Sequence, residues 1–170
     1  MTEAGPRGYG ALPPLPRPLL QLLRRSPITV FVMGGTPEQR EQAARKLHQE
    51  SIVHDGPFVP VDCERDQEGL HHALEAWLAG TPGELATDPV ARANGGTLYL
   101  ESIEQLSEAS QRLLLGLALQ RNERGSYPGH PRWAARLIVG NVRDLTPARS
   151  EGRFHVALHD LVDQFRVTLE

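Results

Sequence analysis

An α/β fold on a largely parallel sheet is predicted by two features of this chain. Short apolar runs alternate with longer stretches of helical periodicity. The runs are also apolar without interruption, as central parallel strands covered on both faces must be. Strands are expected near Ile28–Met33, Phe58–Val61, Thr97–Leu100, Ala135–Val139 and Arg166–Leu169. Helices are expected near Pro37–Glu50, Gln67–Leu78, Ser107–Gln120 and Val156–Asp163.

Residues 1–18 are rich in Gly and Pro, including Leu12-Pro13-Pro14-Leu15-Pro16-Arg17-Pro18, and read as an extended or disordered entry segment rather than a PxxP ligand. Residues 19–170 form the expected domain. Leu19, Leu20, Leu22 and Leu23 followed by Arg24-Arg25 predict a short helix with cations at its carboxyl end, where the helix dipole favours them, and Pro27 as its stop. The strand from Ile28 runs into Gly34-Gly35-Thr36-Pro37-Glu38-Gln39-Arg40-Glu41. Thr36 is placed to cap a helix, Pro37 suits its first position and Gln39 its third, which together make a capping box. The helix from Ser107 carries Leu113, Leu114, Leu115, Leu117 and Leu119, more apolar circumference than one packed face needs.

Composition bounds the function. A chain of 170 residues suits one domain, and 39% hydrophobic with 23% charged residues is the balance of a soluble globular protein. A net charge of -3 argues against a nucleic-acid surface. The single cysteine, Cys63, excludes an intramolecular disulfide and reads as a buried, inert thiol. There is no apolar leader or membrane-length stretch, so a cytoplasmic protein is expected.

The Gly34 segment stands where a phosphate-binding loop G-x-x-x-x-G-K-[ST] would follow the first strand. The first glycine is present, but Gln39 replaces the second and Arg40 the lysine. Thr36 and Gln39 as caps would take up N–H donors that a phosphate requires, and Glu38 adds a negative charge beside the anion position. The planar guanidinium of Arg40 is bulkier than an ammonium and needs a different approach to phosphate.

Several segments resemble the AAA+ domain of bacterial enhancer-binding proteins, the sigma-54-dependent transcription activators. Asp55-Gly56-Pro57-Phe58-Val59-Pro60-Val61-Asp62-Cys63 resembles that family's D-G-P-F-V-x-V-N-C strand, and Asn94-Gly95-Gly96-Thr97-Leu98-Tyr99-Leu100 its approach to the Walker B acids. Val142-Arg143-Asp144-Leu145 resembles its sensor segment N-R-D-L, and Glu151-Gly152-Arg153-Phe154 the E-G-R-F before its arginine-finger helix. The resemblance implies a three-layer P-loop NTPase-like fold with a five-stranded parallel sheet in spatial order 5-1-4-3-2.

The departures bear on activity. The Walker B pair is Glu101-Ser102, and a serine does not take a proton from water as a carboxylate does. The sensor position holds Val142, with Asn141 one residue away, and the two finger positions hold His155 and Leu161. The family's G-A-F-T-G-A loop has no counterpart in the shorter Leu78–Leu85 stretch, and the resemblance leaves no helical lid or DNA-binding helix-turn-helix after residue 170. The expectation is a non-catalytic AAA+-like module in signalling or transcription regulation, without cofactor, acting through a protein partner or self-association and not by direct DNA contact. Its interaction residues would include Leu161 and His155.

The alternative is an ATP-binding regulatory domain with weak or no hydrolysis. Gly34, Gly35, Arg40, Glu41 and Glu101 would then form a vestigial nucleotide site, with Arg40 and Glu101 acting for the family's Lys and Asp and Glu101 meeting Mg²⁺. Zinc sites can also be written down, from His155 and His159 with Asp160 and Asp163, and from His71 and His72 with Glu75. Seven histidines on a polar surface produce such pairs by chance, so structural or solvated roles are preferred and no metal is expected.

Overall fold

The computed structural model describes residues 15–26, 28–122 and 132–170. The expected PxxP segment through Pro14, and Pro27 as a helix stop, lie outside the described residues. The first helix, α1 (Arg17–Arg25), begins inside the segment expected to be extended, because Pro18 occupies its first turn, where a missing N–H costs nothing. It ends at Ser26, which turns to an extended conformation.

Five strands follow: β1 (Val30–Gly34), β2 (Phe58–Asp62), β3 (Thr97–Glu101), β4 (Arg136–Asn141) and β5 (Phe165–Leu169). All pair in parallel, in the order β2-β3-β4-β1-β5, which is the expected order read from the other edge. The remaining helices are α2 (Pro37–Gln49), α3 (Gln67–Leu78), α4 (Pro89–Ala93), α5 (Glu108–Asn122), α6 (Thr146–Ser150) and α7 (Val156–Val162), with a 3-10 turn at Ile103–Gln105.

The strand period of two sorts the apolar residues into two cores. Phe31, Leu98, Leu100, Leu137 and Val139 face one side, where α3, α4, α5, α6 and α7 bury Leu74, Val90, Leu114, Ala148 and Leu158 against them. Val30, Val32, Tyr99, Ile138 and Val167 face the other, under Leu19 and Leu23 of α1 and Ala43, Ala44 and Leu47 of α2. The leucines of α5 are mostly accounted for by packing: Leu114 and Leu117 are buried, Leu113 and Leu115 pack against the core, and Leu119 stays exposed. No described helix is long and apolar enough to cross a membrane.

Polar groups join the layers where the apolar cores cannot. Arg136 of β4 is fully buried and donates from Nη2 to the Ser26 carbonyl at 2.9 Å, tying the end of α1 to the sheet. His48 near the end of α2 bridges the loop before β2 and the start of β3. Its Nε2 lies 3.1 Å from the Gly56 carbonyl, which can only accept, so Nδ1 accepts from the Thr97 hydroxyl at 2.7 Å. Burial is the main cause that holds the His48 pKa below its ordinary 6.5.

That depression fixes a pH dependence. The unfolded chain binds more protons than the folded one as pH falls through 6.5 toward the lowered folded value, so stability is full above 6.5 and lost below it. The thermal midpoint of the wild type should fall more between neutral pH and about pH 5.5 than that of His48→Gln. Parallel profiles for the two proteins would contradict this role.

Candidate functional site

β1 delivers the chain to the carboxyl edge of the sheet, where α/β folds place their ligands. Gly34 turns there with φ 88°, and a side chain would not fit, since a Cβ would lie 2.4 Å from the Leu169 carbonyl oxygen. Gly35 follows at φ 65°. Helix α2 then begins at Pro37 with Thr36 as its cap. The Thr36 hydroxyl accepts from the Gln39 amide at 3.2 Å, and Gln39 Oε1 accepts from the Thr36 amide at 2.8 Å. The capping box therefore forms as the sequence predicts. Its two bonds consume N–H groups that an open phosphate loop presents to its ligand.

Winding Pro37, Glu38 and Gln39 into α2 carries Arg40 to the inner face of its first turn. Its side chain is 3% exposed and reaches back under the loop. Nη1 donates to the carbonyls of Gly34, at 2.9 Å, and Gly35, at 2.8 Å. Nε lies 2.9 and 3.2 Å from the two oxygens of Glu101, and Nη2 lies 2.5 Å from Oε1. All three guanidinium nitrogens are engaged. At this edge the loop presents carbonyl oxygens to a cation, the reverse of a phosphate cradle.

Glu101 ends β3 and is itself fully used. Beyond Arg40, it accepts from the Tyr99 hydroxyl on Oε2 and from the Ser102 hydroxyl on Oε1 at 3.4 Å. Tyr99 is buried, and that burial together with the Glu101 charge pushes its phenol pKa up. Gly140 of the neighbouring strand makes the room: a Cβ there would lie 2.4 Å from the Tyr99 hydroxyl and 2.8 Å from Glu101 Oε2. Ser102 follows in the left-handed region, at φ 58°, among the described residues the one non-glycine with positive φ.

Gly34, Gly35, Arg40 and Glu101 thus meet, as the sequence places them, but they meet each other. Glu41 does not join them; it pairs with Arg45 at 3.5 Å. It instead lines a cavity of about 380 Å³ together with Glu38, Asp62, Asp66, Tyr99 and Glu101. The carboxylates of that lining have no cationic residue among them.

The second half of the edge is organised by Glu104, which sequence reasoning missed. Arg143 and Arg153 both bind its carboxylate, at 2.9 and 3.1 Å, and Asn141 donates to it at 3.1 Å. These bonds, that of Arg143 foremost, hold the Glu104 pKa down to about 2. Asn141 is buried and spent on Glu104 and the Arg143 carbonyl, so it does not stand in at the sensor position, where Val142 is 61% exposed. His155 caps α7, its Nδ1 accepting from the Ala157 amide at 3.1 Å. Leu161 is half-buried and packs against the core.

The histidine pairs also sort differently from their spacing. His71 bonds Glu75 at 2.7 Å and Ser110 at 2.9 Å, while His72 turns to Glu68 at 3.9 Å, so the two do not converge. His155 and His159 part in the same way, since His159 turns inward. Cys63 is buried, and desolvation pushes its thiol pKa up, as an inert thiol requires.

The family model described as "Sigma-54 interaction domain" matches residues 17–168. A C4-dicarboxylate transport transcriptional regulatory protein, DctD, of Pseudomonas aeruginosa is 34% identical over 139 residues, 76% of this chain and 29% of that protein. The chain thus spans under a third of that relative's length. Among solved structures, NtrX from Brucella abortus in complex with ATP has a TM-score of 0.68 at 20% identity, covering 89% of this chain and 35% of that one. The P-loop NTPase domain of a sigma-54 transport activator from E. coli has a TM-score of 0.58 at 24% identity, covering 85% and 97%. At these identities the two structures speak to the fold.

Removing one partner from a buried pair leaves an uncompensated charge. Arg40→Ala should therefore lower unfolding stability by about 3–5 kcal/mol, and Arg40→Ala with Glu101→Gln by clearly less. Urea unfolding of the two variants checks this, and equal losses would show that Glu101 does not depend on Arg40.

Proposed function

The chain belongs to the sigma-54 interaction domain family of transcription regulators, and we propose that within it this domain is a non-catalytic AAA+-like module that acts through protein contacts. One observation carries the proposal. The cation and the carboxylate that would serve a nucleotide neutralise each other, with Arg40 bonded to Glu101 and to the loop carbonyls. A triphosphate would have to break that pair, open the capping box and enter beside a cavity walled by Glu38, Glu41, Asp62 and Asp66. Each step opposes binding: the first exposes buried charge, and the last sets like charges together.

Hydrolysis meets a further obstacle. Next to Glu101 stands Ser102, whose hydroxyl is not a base for an attacking water. His155 and Leu161 are committed to capping and packing α7.

Association is the role left to the same edge. Val142 and Val156 are 61% and 51% exposed, and along the chain Val142 directly precedes Arg143 while Val156 lies three residues after Arg153, the two arginines that bind Glu104. Exposed apolar side chains close in sequence to charged pairs suit an interface with an apolar centre and a polar rim. The occupant is a second copy of the chain or a partner protein, and its binding needs no nucleotide.

The purified protein should release no phosphate from ATP above the rate of Arg40→Ala, and its sedimentation should be the same with and without Mg-ATP. Val142→Asp with Val156→Asp, folded by circular dichroism, should lose association that the wild type shows. Turnover abolished by Arg40→Ala, or assembly that requires ATP, would overturn the reading.

A further inference from the structure

We propose that Asp144, His159 and Asp163 form a binding site for a divalent transition-metal ion of the zinc class, which would staple α7 and the start of β5 to the loop after β4. Among the described residues these three bring one ligand atom each within 4.8 Å of one another. They come from separate parts of the chain. Asp144 precedes α6, His159 lies in α7, and Asp163 follows one helical turn later at the end of α7.

The second observation concerns His159 itself. The residue is 7% exposed, its Nε2 is buried, and that nitrogen makes no hydrogen bond. A buried imidazole nitrogen that makes no hydrogen bond is costly, and structures rarely leave one so without a reason. Here it points toward the carboxylates, 3.3 Å from Asp163 Oδ2. A tetrahedral zinc ion with bonds of roughly 2.0–2.1 Å separates its ligand atoms by about 3.3 Å. The nitrogen and oxygen are thus already at ligand spacing, and Asp144 offers an oxygen within 4.8 Å of both.

The surroundings suit an ion of this class. Asp144 is held ionised: bonds to its Oδ1 from the Thr146 amide and hydroxyl, at 2.8 and 2.7 Å, hold its pKa down to about 2. Arg166 braces both carboxylates from outside, at 3.0 Å to Asp144 and 2.5 Å to Asp163, the part an outer shell of donors plays around metal ligands. Two carboxylates with one bracing guanidinium leave net negative charge for the ion. An imidazole nitrogen excludes the hard cations Ca²⁺ and Mg²⁺, which take oxygen ligands. Arg149 lies 3.2 Å from His159 Nδ1 but bonds Asp160 at 2.6 Å. When Nε2 takes the metal, Nδ1 carries the proton and Arg149 keeps Asp160. Three protein ligands leave a fourth position for water or a partner's side chain.

The test uses the full chain, stripped with chelator and titrated calorimetrically with zinc chloride, with Co²⁺ as the visible probe. The wild type should bind one ion per chain, show Co²⁺ ligand-field absorption and gain thermal stability with zinc. His159→Gln and Asp163→Asn should each weaken binding by tenfold or more, and His71→Gln should leave it unchanged. A readout free of variants is the long-range ¹H–¹⁵N correlation of His159, which should move its proton from Nε2 to Nδ1 on saturation with zinc. Absence of binding at millimolar zinc, binding indifferent to His159→Gln and Asp163→Asn, or a His159 Nε2 that keeps its proton would each overturn the assignment.

Discussion

The ion pair between Arg40 and Glu101 is the constraint on which the carboxyl edge of this sheet depends. Two buried charges are expensive to desolvate, and their attraction compensates only where every remaining donor and acceptor is met. Here they are met. Gly34 and Gly35 offer carbonyls to the guanidinium, and Tyr99 and Ser102 offer hydroxyls to the carboxylate. The arrangement in turn dictates its neighbours: Gly140 must lack a side chain to leave space for Tyr99 and Glu101, and Gly34 must lack one to pass Leu169. β3, β4 and β5 are thereby linked to one side chain of α2.

Where α2 begins decides what the loop can do. Backbone N–H groups at the start of a helix go either to caps or to a ligand. Thr36 and Gln39 settle that choice locally, and Pro37 lets the helix start without losing a bond. Once the helix starts there, Arg40 falls on its inner face, and Glu101 at the end of β3 is within its reach. A choice of four neighbouring residues thus propagates into an ion pair that spans 61 positions of sequence.

The strands and their order were legible in the sequence because buried parallel strands are continuous apolar runs, and the motifs at Asp55, Asn94 and Glu151 imply the rest. The capping box was legible because it is a local pattern. The short helices α4 and α6 were not: each has five residues, too few for a periodicity, and only Pro89 and Pro147 at their starts hint at them. Arg40 and Glu101 were placed at one site, but their bond to each other was not legible, since spacing along a chain does not say that two side chains will bind one another. Glu104 carries no motif at all, and its role depends on Arg143 and Arg153 arriving from other elements. The packing of Leu161 against the core was equally out of reach, because it is a tertiary contact.

The family frame and the local chemistry pull apart at this edge: the first supplies the fold, and the second, in the reading proposed above, closes the site that the fold would otherwise open. Isothermal titration of the wild-type chain with ATP and Mg²⁺ tests that account most directly. Closure by Arg40 and the capping box predicts no heat of binding up to millimolar nucleotide, with Arg40 still bonded to Glu101. Saturable binding of one nucleotide per chain at micromolar concentration would contradict it, since the ion pair would then be a latch that ATP opens and not a replacement for the nucleotide.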